Sequence, residues 1–207
     1  MTKDIEYRYS PFEMANNEEF IVDGYASTFD TYPMMEVDGI VYSERIDPHA
    51  FDDADLSDVV FRVDHEGPVY GRTTNGAVKL AIDEHGLRQR TNLGLTRRAK
   101  ELFEDIKAGM YPQMSFAFRV AEDHYDKESR TRVIDRVAKV FDISAVSFPA
   151  NPYTVLSARD YFNGVIEMEK QAERLAAEEE AKRIAILEER RNALRERIKK
   201  DGRTECD

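Results

Sequence analysis

Three side chains in this sequence could carry acyl transfer if the fold brought them together: His65, Ser115 and Asp142. A serine becomes a useful nucleophile only when a general base lies within hydrogen-bond reach and a third group orients that base. Ser115 sits in Gln113-Met114-Ser115-Phe116-Ala117-Phe118, an alternating stretch that reads as a strand. Met114, Phe116, Phe118 and Val120 share one face of it, and Ser115, Ala117 and Arg119 the other, because side chains alternate along a strand. The small Ala117 leaves room above the hydroxyl, for a solvent-filled cleft or simply a polar surface. Gln113 and Ala117 stand where a nucleophile elbow has glycine, so spacing alone does not make this a hydrolase.

His65 ends the alternating run Val59, Phe61, Val63, His65, where Glu66-Gly67-Pro68 turns the chain. A half-buried imidazole at the mouth of a strand suits a base that must stay neutral near pH 7. The other reading is a structural histidine bonded to a backbone carbonyl. Asp142 lies inside an apolar run over residues 137–148, on the face of Val140, Ser144 and Val146. A carboxylate there is expensive to bury without a partner. That partner is a histidine, an arginine or backbone amides, and a structural ion pair is the alternative to a catalytic role.

The elements that must position these residues follow from local pattern. Residues 20–29 form a strand broken at Gly24, and a loop with Pro33 and Asp38-Gly39 leads to a strand over 40–46 ended by Asp47-Pro48. His49-Ala50-Phe51 begins a short helical turn. Residues 78–82 and 87–93 pair as a hairpin across Asp83-Glu84-His85-Gly86. Thr96 caps a helix whose buried stripe is Ala99, Leu102, Phe103 and Ile106, and Gly109 ends it. Asp126-Lys127-Glu128-Ser129 is a hairpin tip, and Pro149-Ala150-Asn151-Pro152 stops the return strand. From about Asp160 the composition turns to Glu, Ala, Arg, Lys and Leu, which predicts one long helix. Two domains result, a body over 1–158 and a charged helical tail over 159–207, the latter either packing on a partner or fraying in solvent.

The formal net charge is -11. The tail carries 12 Lys+Arg against 13 Asp+Glu, leaving 18 against 28 in the body. An acidic body argues against nucleic acid as ligand and favours basic polypeptide partners, or is simply that of a soluble acidic protein. The single cysteine, Cys206, fits a reducing compartment. Met1-Thr2-Lys3-Asp4 leads into polar sequence, which predicts no signal peptide, and no stretch is apolar enough to span a membrane. No Gly-rich phosphate loop and no metal-ligand spacing is present, so no cofactor is expected.

Taken together, these segments resemble the prohead (capsid-maturation) proteases of tailed bacteriophages over roughly residues 24–158. The resemblance is carried by Gly24-Tyr25-Ala26-Ser27-Thr28-Phe29, Glu44-Arg45-Ile46-Asp47-Pro48-His49-Ala50-Phe51 and Val63-Asp64-His65. It continues through Gly86-Leu87, Ile106-Lys107-Ala108-Gly109 with Gln113-Met114-Ser115-Phe116-Ala117-Phe118, and Phe141-Asp142-Ile143-Ser144-Ala145-Val146-Ser147-Phe148-Pro149-Ala150-Asn151-Pro152. It implies that His65 and Ser115 are catalytic. Asp142 stands where that family often has glutamate, His49 where glycine is usual, and Ala117 where glycine is frequent. A distant similarity to the herpesvirus assemblins, whose triad uses a second histidine, leaves His85 and His124 as further candidates for the third member. The fold class so implied is α+β, a mainly antiparallel β-barrel with flanking helices and a long C-terminal helix. The implied function is a serine endopeptidase that cleaves scaffold protein, capsid protein or itself, with backbone amides as oxyanion donors. Its partners would be the phage major capsid protein and its scaffolding segment, with self-association possible, and neither nucleic acid nor membrane. Its place would be the host cytoplasm, inside the assembling procapsid. The competing reading is a non-enzymatic assembly factor that binds capsid protein, and a third is a β-barrel binding module unrelated to phage.

Overall fold

The computed structural model describes residues 5–11, 20–147 and 152–201. Residues 1–4, the strand stop at 148–151 and Cys206, all used above, lie outside them. In chain order the strands are β1 (Ile5–Pro11), β2 (Ile21–Thr28), β3 (Tyr32–Val37), β4 (Ile40–Ile46), β5 (Val60–Val63) and β6 (Glu66–Arg72). Then come β7 (Val78–Ile82), β8 (Gly86–Asn92), helix α1 (Arg97–Lys107), β9 (Gln113–Asp126), β10 (Thr131–Val146) and helix α2 (Pro152–Asp201). The class is α+β. Among the described residues the ten strands make a seven-stranded sheet, ordered β1-β9-β10-β4-β3 with β5 and β6 branching from β10, and a three-stranded sheet β2-β8-β7.

Neither sheet closes, which corrects the barrel expectation. The reason is how β10 uses its second edge. One edge pairs antiparallel with β9 along nearly its whole length. The other pairs parallel with β4 over Thr131–Ile134 and then parallel with β5 over Asp142–Ala145. A strand with two successive neighbours on one edge forks its sheet, whereas a barrel needs the first and last strands to meet.

The core lies between the inner faces of the two sheets and α1. Met114, Phe116 and Phe118 from β9, Ile143 from β10 and Phe61 from β5 meet Val22, Leu87 and Val78 from the small sheet. The helix forms as its sequence predicts: Thr96 Oγ1 accepts from the Ala99 amide at 3.1 Å, and Ala99, Leu102, Phe103 and Ile106 are buried. From Asp160 to Asp201 the chain, all of it in α2, belongs to a second unit.

Strand β1 was not legible in the sequence, and it is fixed by charge. Glu6 and Arg8 point to the face shared by Phe116 and Phe118, and both are buried. Arg8 bonds Glu44 of β4 through Nε to Oε1, and through Nη2 to Oε2 at 2.6 Å. Arg132 of β10 bonds both oxygens of Glu6 at 2.8 and 2.9 Å, Glu44 at 3.1 Å and Asp123 at 2.8 Å. The Tyr32 hydroxyl adds a 2.6 Å bond to Glu44. Two guanidinium groups thus hold three carboxylates, and the network draws on four strands, β1, β4, β9 and β10. Such a network is satisfied while complete and costly when broken.

Arg132→Met should therefore destabilise the protein by about 3–5 kcal/mol, read as a lowered urea midpoint, because it strands buried carboxylates. The network also sets an acid limit. Burial raises the Glu6 pKa, but its bond to Arg132 and the charges of Arg8 and Arg132 outweigh that, and the net shift is downward. A carboxyl depressed in the fold gives stability that is full above its unfolded value, about 4.3, and is lost as pH falls through the folded value. Glu6→Gln should flatten stability against pH below about 4.3. A variant slope equal to wild type would contradict this.

Candidate active site

His65 reaches its position through backbone strain. Val63 pairs with Glu66 across β5 and β6, so the hairpin loop is only Asp64-His65, and both have positive φ, 48° and 61°. This is the geometry of a type I′ turn, which asparagine and glycine adopt readily and other residues only under strain. The turn therefore comes earlier than Glu66-Gly67-Pro68, and His65 is a loop residue, not the last of an apolar strand face.

The end of β10 holds that turn in place. The Asp64 amide donates to the Ala145 carbonyl at 3.0 Å. Asp64 Oδ1 accepts from the Ser147 amide at 2.9 Å, and the Ser147 hydroxyl lies 3.0 Å from Oδ2. The His65 amide donates to Ser144 Oγ at 3.2 Å.

Asp142 is aimed by an irregularity. In the β9–β10 ladder Val140 faces Phe118 and Asp142 faces Ala117, so Phe141 is an extra residue on β10. A bulge of this kind flips the alternation beyond it. Val140 stays with the core, while Asp142 and Ser144 move to the face of Ala117 and Ser115. The expectation that Val140 and Asp142 share a face is thereby corrected.

On that second face the three candidates form one hydrogen-bonded chain. His65 Nδ1 lies 2.6 Å from Asp142 Oδ1, and His65 Nε2 lies 2.6 Å from Ser115 Oγ. A carboxylate can only accept, so Nδ1 carries the proton and Nε2 accepts from the serine hydroxyl. Asp142 Oδ1 also accepts from Ser144 Oγ at 2.8 Å, which offsets the cost of burying its charge. The assembly is largely shielded from solvent: the His65 and Asp142 side chains are 6% and 11% exposed and Ser115 is fully buried. The open space expected above Ser115 is therefore filled, in part by the imidazole itself. A low-dielectric setting strengthens every charge interaction in the chain.

Tyr7 of β1 completes the surroundings. It pairs with Ala117, and its ring meets the His65 ring edge-on with centroids 4.5 Å apart. Burial first, then the nearby Asp142 carboxylate, holds its phenol above the ordinary range. Sequence reasoning missed this residue because β1 went unread; the alternation Tyr7, Tyr9 beside Glu6, Arg8 is the signal that was there. The other histidines are elsewhere. His124 pairs with Asp135 at 2.7 Å on an exposed stretch of the β9–β10 ladder. His85 is exposed beside Glu84, with its ring against Tyr25.

A family model described as caudovirus prohead serine protease matches residues 4–165, and the chain belongs to that family. No curated protein and no solved structure gives a significant match.

Peptidase activity should fall by about 10³-fold or more in Asp142→Asn, because an amide in place of the carboxylate favours the wrong imidazole tautomer. His85→Ala and His124→Ala should stay within about twofold of wild type, as exposed substitutions away from the hydrogen-bonded chain. Initial rates on one substrate decide this. Loss of activity in either histidine variant with Asp142→Asn unaffected would make that histidine the third member.

Proposed function

We propose that this member of the caudovirus prohead serine protease family is the endopeptidase of procapsid maturation, with Ser115 as nucleophile, His65 as general base and Asp142 as its orienting carboxylate. The observation that carries the reading is the unbroken hydrogen-bond path from Asp142 through both imidazole nitrogens to Ser115, each step 2.6 Å. Family membership supports a serine peptidase of the prohead. The substrates we assign are the capsid protein's scaffolding segment or a separate scaffold, and the protease itself. The place of action we assign is the procapsid in the host cytoplasm. Among the described residues no helix is long and apolar enough to cross a membrane.

The reaction proceeds in two halves. Ser115 Oγ attacks the peptide carbonyl carbon as its proton passes to His65 Nε2, and the carbonyl oxygen takes the negative charge. Asp142 stabilises the imidazolium so formed. As the tetrahedral centre collapses the C–N bond breaks, and Nε2 hands its proton to the leaving amine. A water then attacks the acyl-enzyme, gives its proton to Nε2 and forms the new C–O bond. When the serine leaves, it recovers that proton and a carboxylate product departs. The tail over 159–207 is assigned to recruitment, its exposed Leu175, Ile184, Leu187 and Leu194 pairing with helical scaffold.

Ser115→Ala and His65→Ala should each abolish cleavage of co-expressed capsid protein, followed by intact-protein mass, and the double variant should be no worse than either. Assembled shells should still form. Wild-type cleavage by Ser115→Ala would end the peptidase reading and favour an assembly factor. The rate should also fall on acidification, since only a neutral imidazole can accept the serine proton; a flat profile between about pH 5 and 8 contradicts a histidine base where chemistry limits turnover.

A further inference from the structure

Ser144 is fully buried one strand away from Ser115, its ladder partner in β9. Its hydroxyl makes two bonds that the reaction scheme above does not use. It accepts from the His65 backbone amide at 3.2 Å and donates to Asp142 Oδ1 at 2.8 Å. His65 Nδ1 bonds that same Oδ1 at 2.6 Å. The bonds therefore close a ring: His65 amide to Ser144 hydroxyl, hydroxyl to Asp142 carboxylate, carboxylate to His65 imidazole. One end of the ring fixes the imidazole and the other fixes the backbone that carries it.

We infer that Ser144 is a positioning residue that couples the strained Asp64-His65 turn to the Asp142 carboxylate, so that the imidazole is held toward Ser115. The inference rests on the peptidase reading for its kinetic consequence, but not for its structural one. Each bond has a separate task. The one from the His65 amide satisfies a donor in a turn whose two non-glycine residues are both at positive φ. Without it that amide has lost its partner and the turn one of its ties to β10. The bond to Asp142 removes one of the carboxylate's rotational options, leaving Oδ1 directed at Nδ1. A serine is suited to this place because one small hydroxyl both accepts and donates. Its neighbour on β5, Arg62, lies in the same row and bonds the His65 carbonyl at a long 3.4 Å; a guanidinium cannot accept from the His65 amide, so it does not substitute for the hydroxyl.

The test compares Ser144→Ala with Ser144→Cys in the full-length protein. Substrate is a peptide spanning the bond cut in co-expressed capsid protein. Ser144→Ala should lower kcat about 10- to 100-fold with KM within about twofold, since loss of a hydrogen bond to a charged group in a preorganised site is felt in the transition state. Ser144→Cys keeps the packing with a weaker donor and acceptor and should fall between. A proton NMR spectrum supplies a readout that mere packing would not move. The hydrogen-bonded imidazole N–H of His65 resonates far downfield, and its signal should shift or be lost by exchange in Ser144→Ala, while exchange of the His65 amide accelerates. A kcat within twofold of wild type, a loss confined to KM, or an unchanged imidazole signal and amide exchange overturns the inference. If wild type cleaves nothing, the peptidase reading falls. The NMR comparison then still decides whether Ser144 holds the turn. If Ser144→Ala does not fold, the Ser144→Cys spectrum and rate decide alone, with wild-type values counting against the inference.

Discussion

Strand β10 is the constraint on which the rest depends. It is long enough to serve two neighbours in succession on one edge while β9 occupies the other. That places β5, and hence the turn carrying His65, beside the stretch holding Asp142 and Ser144. On the far side it places β9 with Ser115. Three side chains, His65, Ser115 and Asp142, the first and last of them 77 residues apart in sequence, are thus brought together by the pairing of three strands. The extra residue at Phe141 then does the local work, because without it Asp142 would remain on the side of Val140 and the core.

Charge on the opposite face supports the same arrangement. The Arg8, Glu44, Arg132 and Glu6 network ties β1 to β4 and β10, and with β1 held there Tyr7 is presented against His65. The network sits beneath the sheet and the proposed catalytic chain above it, so the same strands carry both. A buried ion-pair network is weak evidence for stability on its own, since well-packed apolar residues often serve as well. Its evident effect here is register: the two arginines have no equivalent set of carboxylates if β1 slips by one residue, because every side chain would then change face.

How much was legible in the sequence follows from the kind of signal each element emits. Helix α1 has a cap, an apolar stripe and a terminating glycine, and forms where those place it. The β7–β8 hairpin and β4 likewise follow from alternation and turn residues. Strands β1, β3 and β6 were not read, for separate reasons. β1 buries charged residues where apolar ones would mark a core face. β3 carries Pro33 and β6 carries Gly67-Pro68, residues that argue against a strand and are tolerated at a sheet edge. The candidate residues His65, Ser115 and Asp142 were identifiable by type and family pattern, but their geometry was not. The turn at Asp64-His65 uses positive φ without glycine, and the bulge at Phe141 leaves no mark in a run of apolar residues. Barrel closure was an expectation carried by the distant likeness to the assemblins, and it failed because β10 gives two successive neighbours one edge, which alternation within strands does not signal.

The most direct measurement of the central claim is covalent trapping. A fluorophosphonate reacts with a serine whose proton is taken by an adjacent base, forming a phosphorus–oxygen bond as fluoride leaves. The intact mass of the treated full-length protein, followed by peptide mapping, should show one adduct on Ser115, absent when His65 is replaced by alanine. A mapped adduct on another serine, or labelling of Ser115 that survives the loss of His65, would contradict the account.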